Sequence, residues 1–282
     1  MKSIDAVEPA DCYLNAVQLA AAVEQLRRDL GRTTETRPAI KVTGASPREC
    51  WFAALAVHHK AARLAEEFGA DVSQPVDHAP PVDKIRPGHV NQVIEAAARH
   101  VAAVHKSVCD EAAPAAPARE ASRTPSDVFG VLATLSRQLD RLLEKPTTPG
   151  EVYERVTLAL CYAERLCGDH SHAMPAHEHG KIPADCLARL HEALDAARSL
   201  IKSKGHPVIE HGTLGGDTAQ VRPSDCYDIA TLVLGEVAFL HALAHDSNPP
   251  APYEHVGAGH KLPSHVYALA GALTATIGRI SR

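Results

Sequence analysis

The chain has 282 residues, 45% of them hydrophobic and 22% charged, with a formal net charge of −5. That much apolar material can bury a substantial core in one large domain or two ordinary ones, the reading of a soluble globular protein. Acids and bases are interspersed with no basic stripe, which argues against nucleic acid as a partner and disfavours anionic membrane surfaces.

No stretch reaches the roughly 18 to 20 uninterrupted apolar residues of a spanning helix. The longest, Ile229 to Ala244, is broken by Glu236 and His241, so no transmembrane segment is expected. The opening "MKSIDAVEPADCY" lacks the basic stretch and apolar core of a secretory signal. Cytoplasmic placement is the default reading, and a mature periplasmic form is the alternative that stays open.

In chain order, eight related segments follow: "PADCY" at Pro9, "PRECW" at Pro47, "PGHVN" at Pro87, "PSDVF" at Pro125, "PGEVY" at Pro149, "PADCL" at Pro183, "PSDCY" at Pro223 and "PSHVY" at Pro263. Such recurrence is the mark of an internal repeat. Each copy suits a helix start, because proline at the first helical position loses no hydrogen bond and an acid two residues later favours the positive end of the dipole. Ser46 with Glu49, Thr124 with Asp127 and Thr148 with Glu151 are fuller capping boxes. In the third and eighth copies His89 and His265 replace the acid.

Counting from the Cys or Val of each motif, positions +4, +7, +11 and +14 are apolar in every copy. Cys12, Ala16, Leu19, Val23 and Leu26 show it in the first, and Val128, Leu132, Leu135, Leu139 and Leu142 in the fourth. A 4-3-4-3 spacing is a seam along one face of a helix in a bundle, not a strand pattern. The predicted fold is therefore all-α: an eight-helix internal-repeat bundle with long connections rich in proline, glycine and histidine. Helices 7 and 8, about Pro223 to His245 and Pro263 to Ile280, are apolar nearly all round and belong at the centre of the fold or in a subunit interface.

Most connections run to about 14 to 19 residues, more than neighbouring antiparallel helices need. About 15 extended residues span about 50 Å, so these connections can return the chain and let successive helices run parallel. The short "EKPTTPG", residues 144 to 150, leaves room only for an antiparallel pair. A boundary near Lys145 divides the chain into two four-helix halves, 1–145 and 146–282.

Of the seven cysteines, Cys12, Cys50, Cys186 and Cys226 stand where other copies carry valine, which marks them as small packed core residues with inert thiols. Cys109, Cys161 and Cys167 are less constrained, and a Cys109–Cys167 disulfide stays open. There is no CxxC pair, which argues against a zinc knuckle or a thioredoxin-like motif. Six of the eleven aromatic residues directly follow the Cys or Val: Tyr13, Trp51, Phe129, Tyr153, Tyr227 and Tyr267. They either pack against the neighbouring helix and incoming connection or line a shared cavity.

Eighteen histidines concentrate in the connections. "CGDHSHAMPAHEHGK" brings His170, His172, His177 and His179 together with Asp169 and Glu178, a candidate site for zinc, copper or nickel. His241 and His245 lie four apart on one helical face and could join it, although cations at a helix C-terminus also suit the dipole. No zinc-protease, phosphate-loop or serine-elbow motif occurs, and no catalytic set can be assembled from spacing. The expectation is a non-enzymatic helical repeat protein that binds a protein partner or builds a homo-oligomer. The alternative is a histidine-rich transition-metal-binding protein.

Overall fold

The computed structural model describes residues 3–32, 41–70, 80–108, 118–168, 178–211, 221–245 and 260–280. Among them are eight α-helices: α1 (Pro9–Asp29), α2 (Pro47–Glu67), α3 (Pro87–Val108), α4 (Pro125–Leu142), α5 (Pro149–Cys167), α6 (Pro183–Ser203), α7 (Pro223–Ala244) and α8 (Pro263–Ile280). The protein is an all-α bundle protein. Strand is confined to a two-residue antiparallel pair, β1 (Val42–Thr43) with β2 (Glu210–His211).

Every helix begins at a motif proline, and one device fixes all eight starts. The residue two after the proline turns back and accepts the backbone N–H of the cap residue: Asp11 from Glu8 at 2.9 Å, Glu49 from Ser46 at 2.8 Å and Asp127 from Thr124 at 2.8 Å. In the second half Glu151 accepts from Thr148 at 2.7 Å, and Asp185 and Asp225 from Ile182 and Arg222 at 2.9 Å each. In α3 and α8 the acceptor is an imidazole: His89 Nδ1 takes the Arg86 N–H at 3.0 Å, and His265 Nδ1 the Leu262 N–H at 2.9 Å. A neutral Nδ1 offers the same lone pair as a carboxylate oxygen, so histidine substitutes for the acid without losing the cap.

The seam becomes the core. Every residue at the Cys/Val position and at +4, +7, +11 and +14 is buried, except Leu166 and Ile280 at the last turns of α5 and α8. The helices fall into two compact units, α1 to α4 and α5 to α8. In the first, α1 and α2 each touch α3 and α4; in the second, α5 and α6 each touch α7 and α8. Each unit is thus a ring of four helices in which α1 faces α2, and α5 faces α6, across a diagonal.

Within each unit the helices run parallel and in register. Near the starts, Cys12 Sγ donates to the Pro87 carbonyl and Cys50 Sγ to that of Pro125, both at 3.1 Å. About midway, Lys60 Nζ donates to Ser136 Oγ at 2.8 Å, and toward the far end His105 Nε2 lies 4.0 Å from Asp29 Oδ2. In the second unit Cys186 and Cys226 bond the Pro263 and Pro183 carbonyls at 3.1 and 3.2 Å, and the Tyr162 and His241 rings meet farther along at 5.3 Å. Parallel neighbours force each connection within a unit to travel back about 30 Å, the length of a twenty-residue helix, which is why the connections are long.

Gly88, the second residue of α3, sits where the 3₁₀ turn Ile4–Ala6 crosses the helix start. A Cβ there would overlap the Ile4 carbonyl oxygen, so glycine is required by close approach and not by backbone angle.

The expectation that no segment can cross a membrane needs correction. α7 is one unbroken helix of 22 residues containing an 18-residue window of mean hydropathy 1.5, long and apolar enough by length and composition. Glu236 and His241 interrupt the apolar run without lowering the window average enough, and cap-to-cap helix length is the relevant measure. In this structure 83% of that window is buried inside the protein, and every residue from Ile229 to His241 is buried.

Candidate functional site

At the N-terminal end of the first unit, Pro9, Cys12, Pro47, Cys50, Pro87, Val90, Pro125 and Val128 converge on a small apolar cavity. At the corresponding end of the second, Pro149, Val152, Pro183, Cys186, Pro223, Cys226, Pro263 and Val266 do the same. Each cavity is about 10 Å³, at the lower limit for one water. Neither can enclose a metabolite.

The thiols here are unreactive for a physical reason. Burial is the main cause that pushes Cys12 and Cys186 up to about 12 and holds Cys50 and Cys226 well above the usual thiol value, with the neighbouring cap acids adding to it. Each thiol also spends its proton on a prolyl carbonyl of the next helix. Iodoacetamide at pH 8 should therefore leave Cys12, Cys50, Cys186 and Cys226 unmodified in the folded protein. Replacing any of them by valine should cost less than about 1.5 kcal/mol, as for other volume-conserving core swaps. Rapid labelling of these four by mass spectrometry would contradict the packing. Cys161 is buried with its pKa raised to about 11, Cys167 is half-buried with Sγ 3.4 Å from the Thr276 carbonyl, and Cys109 lies outside the described residues.

The aromatic residues do not line these cavities. They sit one position beyond the seam, and cations from neighbouring segments cover the four tyrosines among them. Arg123 lies 4.3 Å from the centre of the Tyr13 ring, Lys261 4.6 Å from Tyr153 and Lys181 4.3 Å from Tyr267. Arg155 and Arg189 stack on Tyr227 and Tyr267 and also donate to their hydroxyls. Trp51 is buried edge-on against Phe52, with ring centres 5.0 Å apart. The cation–ring contacts tie α1 to the segment before α4, α5 to α7 and to the segment before α8, and α6 to α8.

Of the histidines nominated from sequence, His170, His172 and His177 lie outside the described residues. His179 is exposed just before α6, at the N-terminal end of the second unit. His241 and His245 are at the other end, because His241 is the nineteenth residue of α7 and lies about 27 Å along it at 1.5 Å per residue. The parallel arrangement thus separates His179 from the α7 pair. The pair itself is in contact, with ring centres 5.1 Å apart. His241 is buried against Tyr162, its Nε2 has no hydrogen-bond partner among the described residues, and desolvation followed by His245 and Arg165 lowers its pKa. Among the described residues no three His, Cys, Asp or Glu side chains gather as a metal site.

Sequence reading passed over three features. His58 of α2 and His100 of α3 meet ring to ring at 5.0 Å, which seam counting could not show because both lie beside the seam. Arg198 of α6 and Glu236 of α7 are both buried, with Nε and Oε1 4.0 Å apart. Ile182 and Leu262 occupy the cap positions of the neighbouring helices α6 and α8 and are 57% and 48% exposed. The last was legible, since Ile and Leu are poor helix caps.

Comparison with protein-family models, curated proteins and solved structures finds no match to this chain.

Proposed function

We propose that this is a non-enzymatic helical repeat protein that binds a protein partner, with the N-terminal end of α6 and α8 as its contact surface. The observation carrying the proposal is the pair Ile182 and Leu262. Ser, Thr, Asp or Asn at a cap is worth about 1 kcal/mol over an aliphatic residue, and the matching positions on α2 and α4 are Ser46 and Thr124. Two neighbouring helices of the second unit forgo that stabilisation and expose aliphatic side chains instead. Exposed apolar side chains gathered in one place can serve as a protein contact site, and such sites commonly cost some stability. The pairing of α6 with α8 through Cys186 and the Pro263 carbonyl, and through the Lys181 N–H and Ser264 Oγ at 3.2 Å, sets the two side by side.

The test is the double variant Ile182→Ser with Leu262→Thr. Better caps should raise the Tm, and the same change should abolish whatever protein co-purifies with the wild type through this face. A raised Tm with the co-purifying set unchanged would overturn the proposal.

A second reading, a histidine-rich transition-metal protein, is favoured by the contacting pair His241 and His245. Its test is elemental analysis of the purified chain, with zinc, copper or nickel titrated against thermal melting. A stoichiometric metal that raises the Tm, with the rise removed by His241→Ala, would support it through linkage. No retained metal and no shift would end it.

A further inference from the structure

We propose that α3 is an acid-released helix: as pH falls below about 6, its first and middle turns detach from the first bundle before the other helices of that unit loosen. The proposal rests on where α3 carries its histidines. In this unit the caps of α1, α2 and α4 are closed by Asp11, Glu49 and Asp127, but that of α3 is closed by His89. A proton on His89 Nδ1 turns the acceptor into a donor aimed at the Arg86 N–H and puts a cation at the positive end of the helix. The Thr124 backbone and hydroxyl hold Asp127 below its ordinary range, so that carboxylate cap outlasts the imidazole one on acidification.

At mid-helix His100, itself buried, meets His58 of α2 across 5.0 Å. His58 Nε2 and His100 Nδ1 are both buried with no hydrogen-bond partner among the described residues. Protonation would place two cations in contact at a site where His100 is buried and His58 partly so, and solvent screens them less than on the open surface. The groups facing this pair are unfavourable on balance: His59 from α2 and Arg99 from α3 add positive charge, and Glu66 from α2 opposes it. Around the cap, Arg86 disfavours a charged His89 and Asp5 of the 3₁₀ turn favours it. From α1, Asn15 donates to Asn91 at 2.8 Å, and Asn91 donates to Glu95 at 2.8 Å. The far end differs in its surroundings, because there His105 Nε2 lies 4.0 Å from the Asp29 carboxylate of α1 rather than against a second imidazole. The release is therefore confined to the first two-thirds of the helix.

The direction of the linkage agrees. Burial first, and His100 second, push His58 down to about 4, and burial lowers His100 and His89. A histidine whose folded value is depressed stabilises the fold fully above its unfolded value of about 6.5; that stability drains as pH falls toward the folded value and is flat below it.

Hydrogen exchange resolved by residue, corrected for intrinsic rates, tests this between pH 7 and 5. The protection of amides 90 to 101 should fall at least tenfold while that of α4 changes less than threefold. His58→Gln with His100→Gln, and separately His89→Asp, should each reduce the acid response of α3. Parallel loss in α3 and α4, or no loss in α3, would overturn the proposal. If the variants do not fold, ring-proton titration of the wild type decides: values of 6.5 or above for both His58 and His100 would overturn it, and values well below would support it.

Discussion

Replacing Arg198 by methionine should destabilise the second unit by about 3 to 5 kcal/mol, the usual cost of stranding a buried charge. Arg198 of α6 is 8% exposed and Glu236 of α7 is 1% exposed, and their side chains approach to 4.0 Å. Removing the guanidinium takes a neighbouring cation from a carboxylate that is 1% exposed, where no solvent can take its place. The double change Arg198→Met with Glu236→Leu should regain most of the loss, because an apolar pair of similar volume carries no desolvation penalty. Urea denaturation of the two variants measures both numbers. A loss below about 1 kcal/mol for the single variant would show that the pair is not coupled.

The second large effect is expected at Leu132, which is fully buried in α4. In its layer, one turn into the first unit, Ala16 and Ala54 face each other on the diagonal of α1 and α2, and Ile94 and Leu132 on that of α3 and α4. The second unit reverses the sizes, with Val156 and Leu190 on the first diagonal and Ala230 and Ala270 on the other. Small residues on one diagonal let large ones meet on the other, which fills the layer. Leu132→Ala should therefore open a cavity that small neighbours cannot close and cost about 3 to 4 kcal/mol. Ala16→Leu should also destabilise, by about 1 to 3 kcal/mol, through overpacking. Chemical denaturation midpoints test both; a stabilised Ala16→Leu would mean that this layer holds unfilled space.

Local signals were read correctly where the physics is local. Proline at the first turn and a cap acceptor two residues on placed each helix start at the residue where the structure has it, from Pro9 to Pro263. The 4-3-4-3 spacing named the buried face of every helix, failing only at Leu166 and Ile280 in the last turns of α5 and α8, which are only half-buried. The membrane reading failed because it counted uninterrupted residues, while the length and average hydropathy of the whole α7 helix are what matter.

The candidate site was less legible. His241 and His245 were found because a four-residue spacing is a property of one helix. His58 with His100 and Arg198 with Glu236 each join two helices, and no periodicity within one helix reports on another.

Helix identity, helix starts and the buried stripe were thus determined by the sequence alone, because each depends on residues within one or two turns of one another. Which helices touch, that they run parallel within each unit, and which histidines and charges meet were decided only by the tertiary structure. A connection of fifteen or more residues can reach any neighbour in either direction, so chain geometry leaves the choice open. Side-chain packing at the layers makes it.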